Sequence, residues 1–169
     1  MSSPQFNIIT DWTLNTPHEK VWPVLVDAER WPLWWRAVKR VERIAEGDEN
    51  GVGAVRRVTW SAMIGRVALP FALAVDMRTT RVEPMTRIER EAEGPLSGTG
   101  RWDVWPDGRQ TRIRYEWRVK LVEPRLRMLA PLLRQAFIWN HAWTMDAGFK
   151  GLVAELGGQS ARSQPLRRG

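Results

Sequence analysis

The chain has no cysteine, a single tyrosine and only two histidines among its 169 residues. Without thiols there can be no disulfide, no thiolate nucleophile and no zinc–thiolate site. His18 and His141 are too far apart in the sequence to suggest a ligand cluster, so no metal is expected, and nothing points to any other cofactor. Because only His141 reads as interior, a serine triad is disfavoured as well. No segment approaches the roughly 20 consecutive apolar residues needed to cross a bilayer. The opening Met1-Ser2-Ser3-Pro4-Gln5 lacks a basic stretch followed by an apolar run, which argues against a secretory signal. A cytoplasmic protein is the expectation.

Acidic residues are in the minority, 19 against 26 lysines and arginines, giving a net charge of +7. Three of the arginines, Arg162, Arg167 and Arg168, fall in a polar tail after Gly157-Gly158. The remaining cations are interleaved with acids and apolar residues. Arg112, Arg114, Glu116, Arg118 and Lys120 alternate with Ile113, Tyr115, Trp117, Val119 and Leu121, the pattern of a strand with one solvated face. Arg87, Glu89, Glu91 and Glu93 could supply countercharges from a nearby strand. No nucleic-acid recognition motif accompanies the charge, so nucleic acid is not the expected partner.

Tryptophan is what the chain has in excess, with 11 residues. One or two satisfy most cores of this size; the surplus either lines a cavity or covers the sheet and loops. Residues 6 to 14 alternate as a first strand. Thr16-Pro17-His18-Glu19 then reads as an N-cap, a first-turn proline and a capping box. The helix that follows buries Val21, Trp22, Leu25 and Val26; Pro23 is expected to kink or break it, and Trp31-Pro32 to end it. Strand signals recur at 38–45, 52–64, 67–82, 86–92, 99–105 and 111–122. Turn-rich links between them, such as Gly47 to Gly51 and Pro106-Asp107-Gly108, imply an antiparallel meander. Glu123-Pro124 closes the sheet and a short helical turn follows. Pro131 to Leu156 then forms one long amphipathic helix. The expected fold class is α+β: about seven curved antiparallel strands and one long C-terminal helix. A single domain over residues 1–157 would precede a disordered basic tail at 158–169.

Several local sequences accompany this order of elements: Thr16-Pro17-His18-Glu19-Lys20-Val21-Trp22, then Leu25, Asp27 and Trp31-Pro32. Further along are Val82-Glu83-Pro84, Arg87-Ile88-Glu89, Gly94 and Gly98-Thr99-Gly100-Arg101-Trp102. Last come Tyr115-Glu116-Trp117, Trp139-Asn140-His141, Met145, Gly148 and Gly151-Leu152. Together they resemble the polyketide cyclase/dehydrase-like branch of the START-like (Bet v 1-like, SRPBCC) superfamily, over roughly residues 6 to 156. The resemblance implies a helix-grip fold, in which a curved sheet wraps the C-terminal helix over a cavity. It also implies small hydrophobic ligands such as lipids or polyketides, with some members acting as cyclases or hydrolases and many only carrying ligands. Fold alone does not choose among these.

Turning the long helix by about 100° per residue places Phe137, Ile138, His141, Met145, Gly148, Phe149, Leu152 and Leu156 on one face. His141 is flanked there by Phe137 and Met145. It is either a core histidine bonded to a backbone or strand group, or a ligand contact or general acid/base. Arg56 shares a strand face with Val52, Ala54, Val58, Trp60, Ala62 and Ile64. It therefore either meets an anionic ligand or reaches water at the strand end. Tyr115 lies with Ile113, Trp117 and Val119, as a core residue or as a hydroxyl orienting a guest. In the strand over 86–92, one register points Ile88, Arg90 and Ala92 inward, and a one-residue slip would place Glu89 and Glu91 there instead. Gly98 and Gly100 suggest a bend; no helix start follows to make a phosphate loop, and Gly94 to Gly98 misses the nucleophile-elbow spacing.

The candidate ligand-binding set is His141, Arg56, Tyr115, Trp60, Trp117, Phe137, Met145 and Arg90. The preferred expectation is binding or carriage of a small hydrophobic, even anionic aromatic, molecule between sheet and helix. The alternative is a cyclase- or dehydratase-type enzyme with His141 moving a proton and Tyr115 or Arg56 stabilising an enolate-like oxygen. No residue is assigned as catalytic, because His141 has no evident carboxylate partner. The oligomeric state is not encoded in any feature of the chain.

Overall fold

Period-two alternation builds most of the molecule. In the first strand, β1 (Gln5–Leu14), Phe6, Ile8, Thr10, Trp12 and Leu14 are all buried while the residues between them are not. A computed structural model describes residues 5–64, 67–122, 130–157 and 162–168. The segment at Glu123-Pro124 and the helical turn expected after it lie outside the described residues. After β1 come helix α1 (His18–Val26), a 3-10 turn (Ala28–Arg30) and the short helix α2 (Trp31–Trp34). Strands β2 (Val38–Ala45), β3 (Val55–Ile64), β4 (Val67–Glu83), β5 (Arg87–Glu93), β6 (Leu96–Asp107) and β7 (Gln110–Leu121) follow. The long helix α3 (Ala130–Glu155) and strand β8 (Arg162–Arg168) complete the described chain. The sheet order is β2-β3-β4-β5-β6-β7-β1-β8, antiparallel throughout. Helix α3 packs against β3, β1 and α2.

The expected seven-stranded sheet and long helix are present, with four local differences. First, α1 begins one residue later than expected. Pro17 is extended at φ −59°, ψ 142° and occupies the cap position, while the Thr16 carbonyl accepts a bond from Thr111 Oγ1 at 2.7 Å. Second, Pro23 does not break α1, and Trp31-Pro32 starts a helix instead of ending one. Proline is tolerated in a first turn, where its missing N–H has no partner to lose. Third, β3 starts at Val55, because the Asp48 carboxylate holds the amides of Asn50 and Val52, each at 2.9 Å, in a loop. Fourth, a strand at Arg162–Arg168, outside the strands read from the sequence, pairs with β1. Without it, β1 would be an edge strand with a row of unpaired backbone groups.

The outer face of the sheet carries the charge. Glu116, 6% exposed, sits between Arg101 (2.9 Å) and Arg118 (2.5 Å). Arg114 pairs with Asp11 on β1 at 2.7 Å. The partners of β7 thus come from its neighbours β6 and β1. β5 lies one strand further away and instead pairs Arg87 with Asp103 of β6 at 2.5 Å. Ion pairing on this face leaves the inner face mostly to apolar side chains, with Arg90 as a charged exception.

Candidate functional site

A half-open cavity of about 70 Å³ lies between the inner face of the sheet and α3. Its sheet wall is Trp60, Leu73, Val75, Met77, Leu96, Trp102, Tyr115 and Trp117. Helix α3 supplies Phe137, Asn140, His141, Thr144 and Met145; Trp31 and Trp35 close the side next to α2. The helical spacing is visible in burial: His141, Thr144, Met145, Gly148, Phe149 and Leu152 are buried, whereas Asp146 and Lys150 are exposed and paired with each other at 2.7 Å. Six of the eight candidate ligand residues therefore come together here: His141, Tyr115, Trp60, Trp117, Phe137 and Met145.

Arg56 and Arg90 do not join them. Both line a separate pocket of about 380 Å³ below the end of α1. Arg56 lies near the strand end, where its Nε donates to Glu29 Oε1 at 2.8 Å and its Nη1 to the Ala45 carbonyl at 2.7 Å. Arg90 points inward in register with Ile88 and Ala92, leaving Glu91 exposed. Among the described residues the lining of the central cavity consequently carries no formal charge.

Trp31, Trp35 and Trp102 are cavity residues that the sequence did not single out. Trp31 and Trp35 lie in a four-residue helix and its cap, too short for any periodicity to show which way a ring points. Trp102 could have been inferred: the hairpin at Pro106-Asp107-Gly108 places it opposite Tyr115, and the two rings stack with centroids 4.2 Å apart. Two of the rings are anchored by their nitrogens. Trp31 Nε1 donates to the Leu25 carbonyl at 3.0 Å, and Trp35 Nε1 donates to the Thr144 carbonyl at 2.8 Å.

Two glycines make room for this arrangement. A Cβ on Gly148 would lie 2.5 Å from the Trp35 ring, so the gap in α3 is filled by tryptophan and not by a guest. A Cβ on Gly100 would meet the Tyr115 hydroxyl at 2.7 Å and the Trp117 ring at 3.0 Å.

Polar groups in the cavity are few. His141 is 8% exposed, its Nε2 is buried without a hydrogen-bond partner, and its ring lies nearly parallel to Tyr115 at a centroid distance of 6.3 Å. Burial in this apolar setting pulls the imidazole pKa down to about 4, so the ring is neutral at neutral pH. Burial likewise pushes the Tyr115 phenol above its usual range, and the nearby Arg90 charge only partly opposes this. The cavity thus offers a neutral imidazole and a phenol hydroxyl, with Asn140 and Thr144 as further uncharged polar residues, among aromatic walls. Among the described residues it carries no carboxylate to relay a proton from His141. Among the described residues no group of three or more His, Asp or Glu could hold a metal, and no helix is long and apolar enough to cross a membrane.

Comparison with solved structures returns this same architecture at low sequence identity. A protein from Thermus thermophilus is 20% identical, with a TM-score of 0.71 and coverage of 90% of this chain and 97% of that one. An aromatase/cyclase from Streptomyces sp. R1128 is 14% identical, with a TM-score of 0.70 over 90% of this chain and 94% of its own. A START superfamily protein from Mycobacterium smegmatis is 13% identical, with a TM-score of 0.69 over 89% and 99%. Such identities establish a shared fold and no more. No functionally curated protein matches the chain. The family described as "Polyketide cyclase / dehydrase and lipid transport" matches residues 6–157, which is nearly the whole of the sheet and its helix, and the chain belongs to that family.

Proposed function

We propose that the protein binds a small, neutral, flat apolar molecule between the sheet and α3, with one polar atom of the guest bonded to His141. The observation that carries this reading is the unpartnered Nε2 of His141 in an aromatic-lined cavity. Leaving such a group unsatisfied costs about 1–3 kcal/mol, which a guest bearing one donor or acceptor would recover. The absence of charge among the described lining residues favours neutral guests over the anionic aromatic one expected from Arg56. The volume of about 70 Å³ favours a compact guest, since sites for larger ligands run to roughly 300–1,000 Å³.

The family's name and the cyclase among its structural relatives support a second reading, in which His141 moves a proton. Against it stand a pKa near 4, which leaves a weak base, and the lack of a carboxylate beside the ring among the described residues. Phenol and toluene, similar in size and differing in one hydroxyl, separate the possibilities. The parent protein binds phenol more tightly, and His141→Ala loses about tenfold or less of that preference. Equal affinity for the two probes in both parent and variant refutes the binding role of His141. Turnover of a polyketone substrate that vanishes in His141→Ala while binding persists would establish the enzymatic reading instead. Native mass spectrometry of freshly purified protein, with extraction of any carried molecule, identifies the guest directly.

A further inference from the structure

The second pocket has chemistry of its own. Arg90, on β5, is 7% exposed, and its side chain meets no carboxylate among the described residues. Its Nη2 donates to the carbonyl of Val26, the last residue of α1, at 2.9 Å, and its Cζ lies 5.1 Å from the centroid of the Trp31 ring. These contacts hold the guanidinium in place but leave Nη1 buried without a partner. Arg56 lines the same pocket, with its Nη2 no closer to a carboxylate than Glu46 at 3.6 Å. The two guanidiniums repel each other, and this adds to burial in lowering the Arg90 pKa to about 10, still cationic at neutral pH.

The pocket's carboxylates do not answer Arg90. Glu29 is committed to Arg43 (2.6 Å) and Arg56 (2.8 Å), and Asp27 is exposed and makes no ion pair with Arg90. The remaining wall includes Trp22, Val82, Pro84 and Ile88, which is apolar, and the volume of about 380 Å³ is in the range of organic ligands. A buried, pre-positioned fork with a free N–H, a second cation and an apolar wall matches an anionic group on a hydrophobic body. Trp31 separates this chemistry from the central cavity: it lines that cavity and also supports the Arg90 guanidinium.

We infer that this second pocket is an organic-anion site, holding a carboxylate or phosphate ester between Arg90 and Arg56 with its apolar body along Trp22, Val82 and Ile88. The residues lining this pocket are separate from those lining the central cavity, with Trp31 behind Arg90 as the shared support, so the site does not depend on that cavity binding a neutral guest.

Calorimetric titration of the full chain at low ionic strength with benzoate, phenyl phosphate, inorganic phosphate and neutral benzamide tests it. Saturable binding of benzoate or phenyl phosphate, with benzamide at least tenfold weaker, is expected. Preference for benzoate assigns a carboxylate, and preference for phenyl phosphate a phosphate ester. Arg56→Gln, a partly exposed strand-end substitution, and Arg90→Lys, which keeps the charge but loses the fork, each weaken the anion by about tenfold or more. Arg57→Gln, on the outer face, leaves it unchanged. Binding of inorganic phosphate alone, benzamide binding as tightly as benzoate, undiminished affinity in Arg56→Gln, or no saturable binding of either organic anion overturns the assignment.

Discussion

Replacing His141 with leucine tests the physical state of the cavity without knowledge of any ligand. The folded protein buries a neutral imidazole whose pKa falls from 6.5 to about 4. An unfolded chain takes up that proton near the ordinary value. Between the two pKa values the unfolded state therefore binds more protons, and stability rises with pH. The penalty is absent above about pH 6.5, accumulates as pH falls through the interval and is complete below about pH 4, reaching about 3 kcal/mol for His141 alone. Leucine has a similar apolar bulk and does not titrate. At neutral pH, His141→Leu is expected to match or exceed the parent, since removing an unsatisfied buried polar atom relieves its desolvation cost. As pH falls, the parent should lose about 3 kcal/mol relative to the variant. Urea unfolding of both proteins at pH values bracketing the interval gives the comparison, with every other titrating group common to the pair. Parallel stability curves would show that the imidazole is hydrated or already partnered, and the cavity description would fail with it.

Other outcomes follow from packing. In Gly148→Ala the new methyl would start 2.5 Å from Trp35, so either α3 or the ring must move; a loss of about 1–3 kcal/mol is expected in denaturant unfolding. A stability equal to the parent's would mean that Trp35 is not held against α3. Truncation after Gly157 removes β8 and leaves one side of β1 unpaired. Hydrogen exchange should then quicken at alternate amides of β1 while the amides of β5 keep their protection, and unchanged β1 protection would rule out the pairing.

The fold was legible because the strands announce themselves by period and α3 by its long run from Ala130 to Glu155 without a strand-like alternation. In β7 the alternation from Thr111 to Leu121 predicts each inward residue, and in α3 the spacing predicts His141, Met145, Phe149 and Leu152. The site was less so, for three physical reasons. The face of a strand does not say how far along the sheet a residue lies, so Arg56 shares a side with Trp60 and still belongs to a different pocket. Short helices have no period to read, which hid Trp31 and Trp35. The tail's pairing is a backbone property of β1's free edge, and the polar composition of Arg162–Arg168 gives no apolar signal for it.

The tryptophans also decide how the cavity can grow. Moving Trp31 or Trp35 would break a buried N–H bond, to Leu25 or Thr144, and leave the carbonyl unpaired at a cost of about 1–3 kcal/mol each. Trp35 is further wedged into the gap at Gly148 and stacked on Trp34 at 5.5 Å. Trp60 is different: it is only partly buried, touches Trp31 and Trp35 through ring contacts alone, and makes no nitrogen hydrogen bond among the described residues. A guest too large for the cavity as it stands should therefore displace Trp60 on β3 and leave the α2 side unchanged. Trp60→Phe would then admit larger aromatic probes than the parent does, read as a shift in the size cutoff across a series of alkylphenols, whereas Trp35→Phe would lose stability without that shift. If the cutoff moves with Trp35 and not with Trp60, the anchoring bonds are not what limits the cavity.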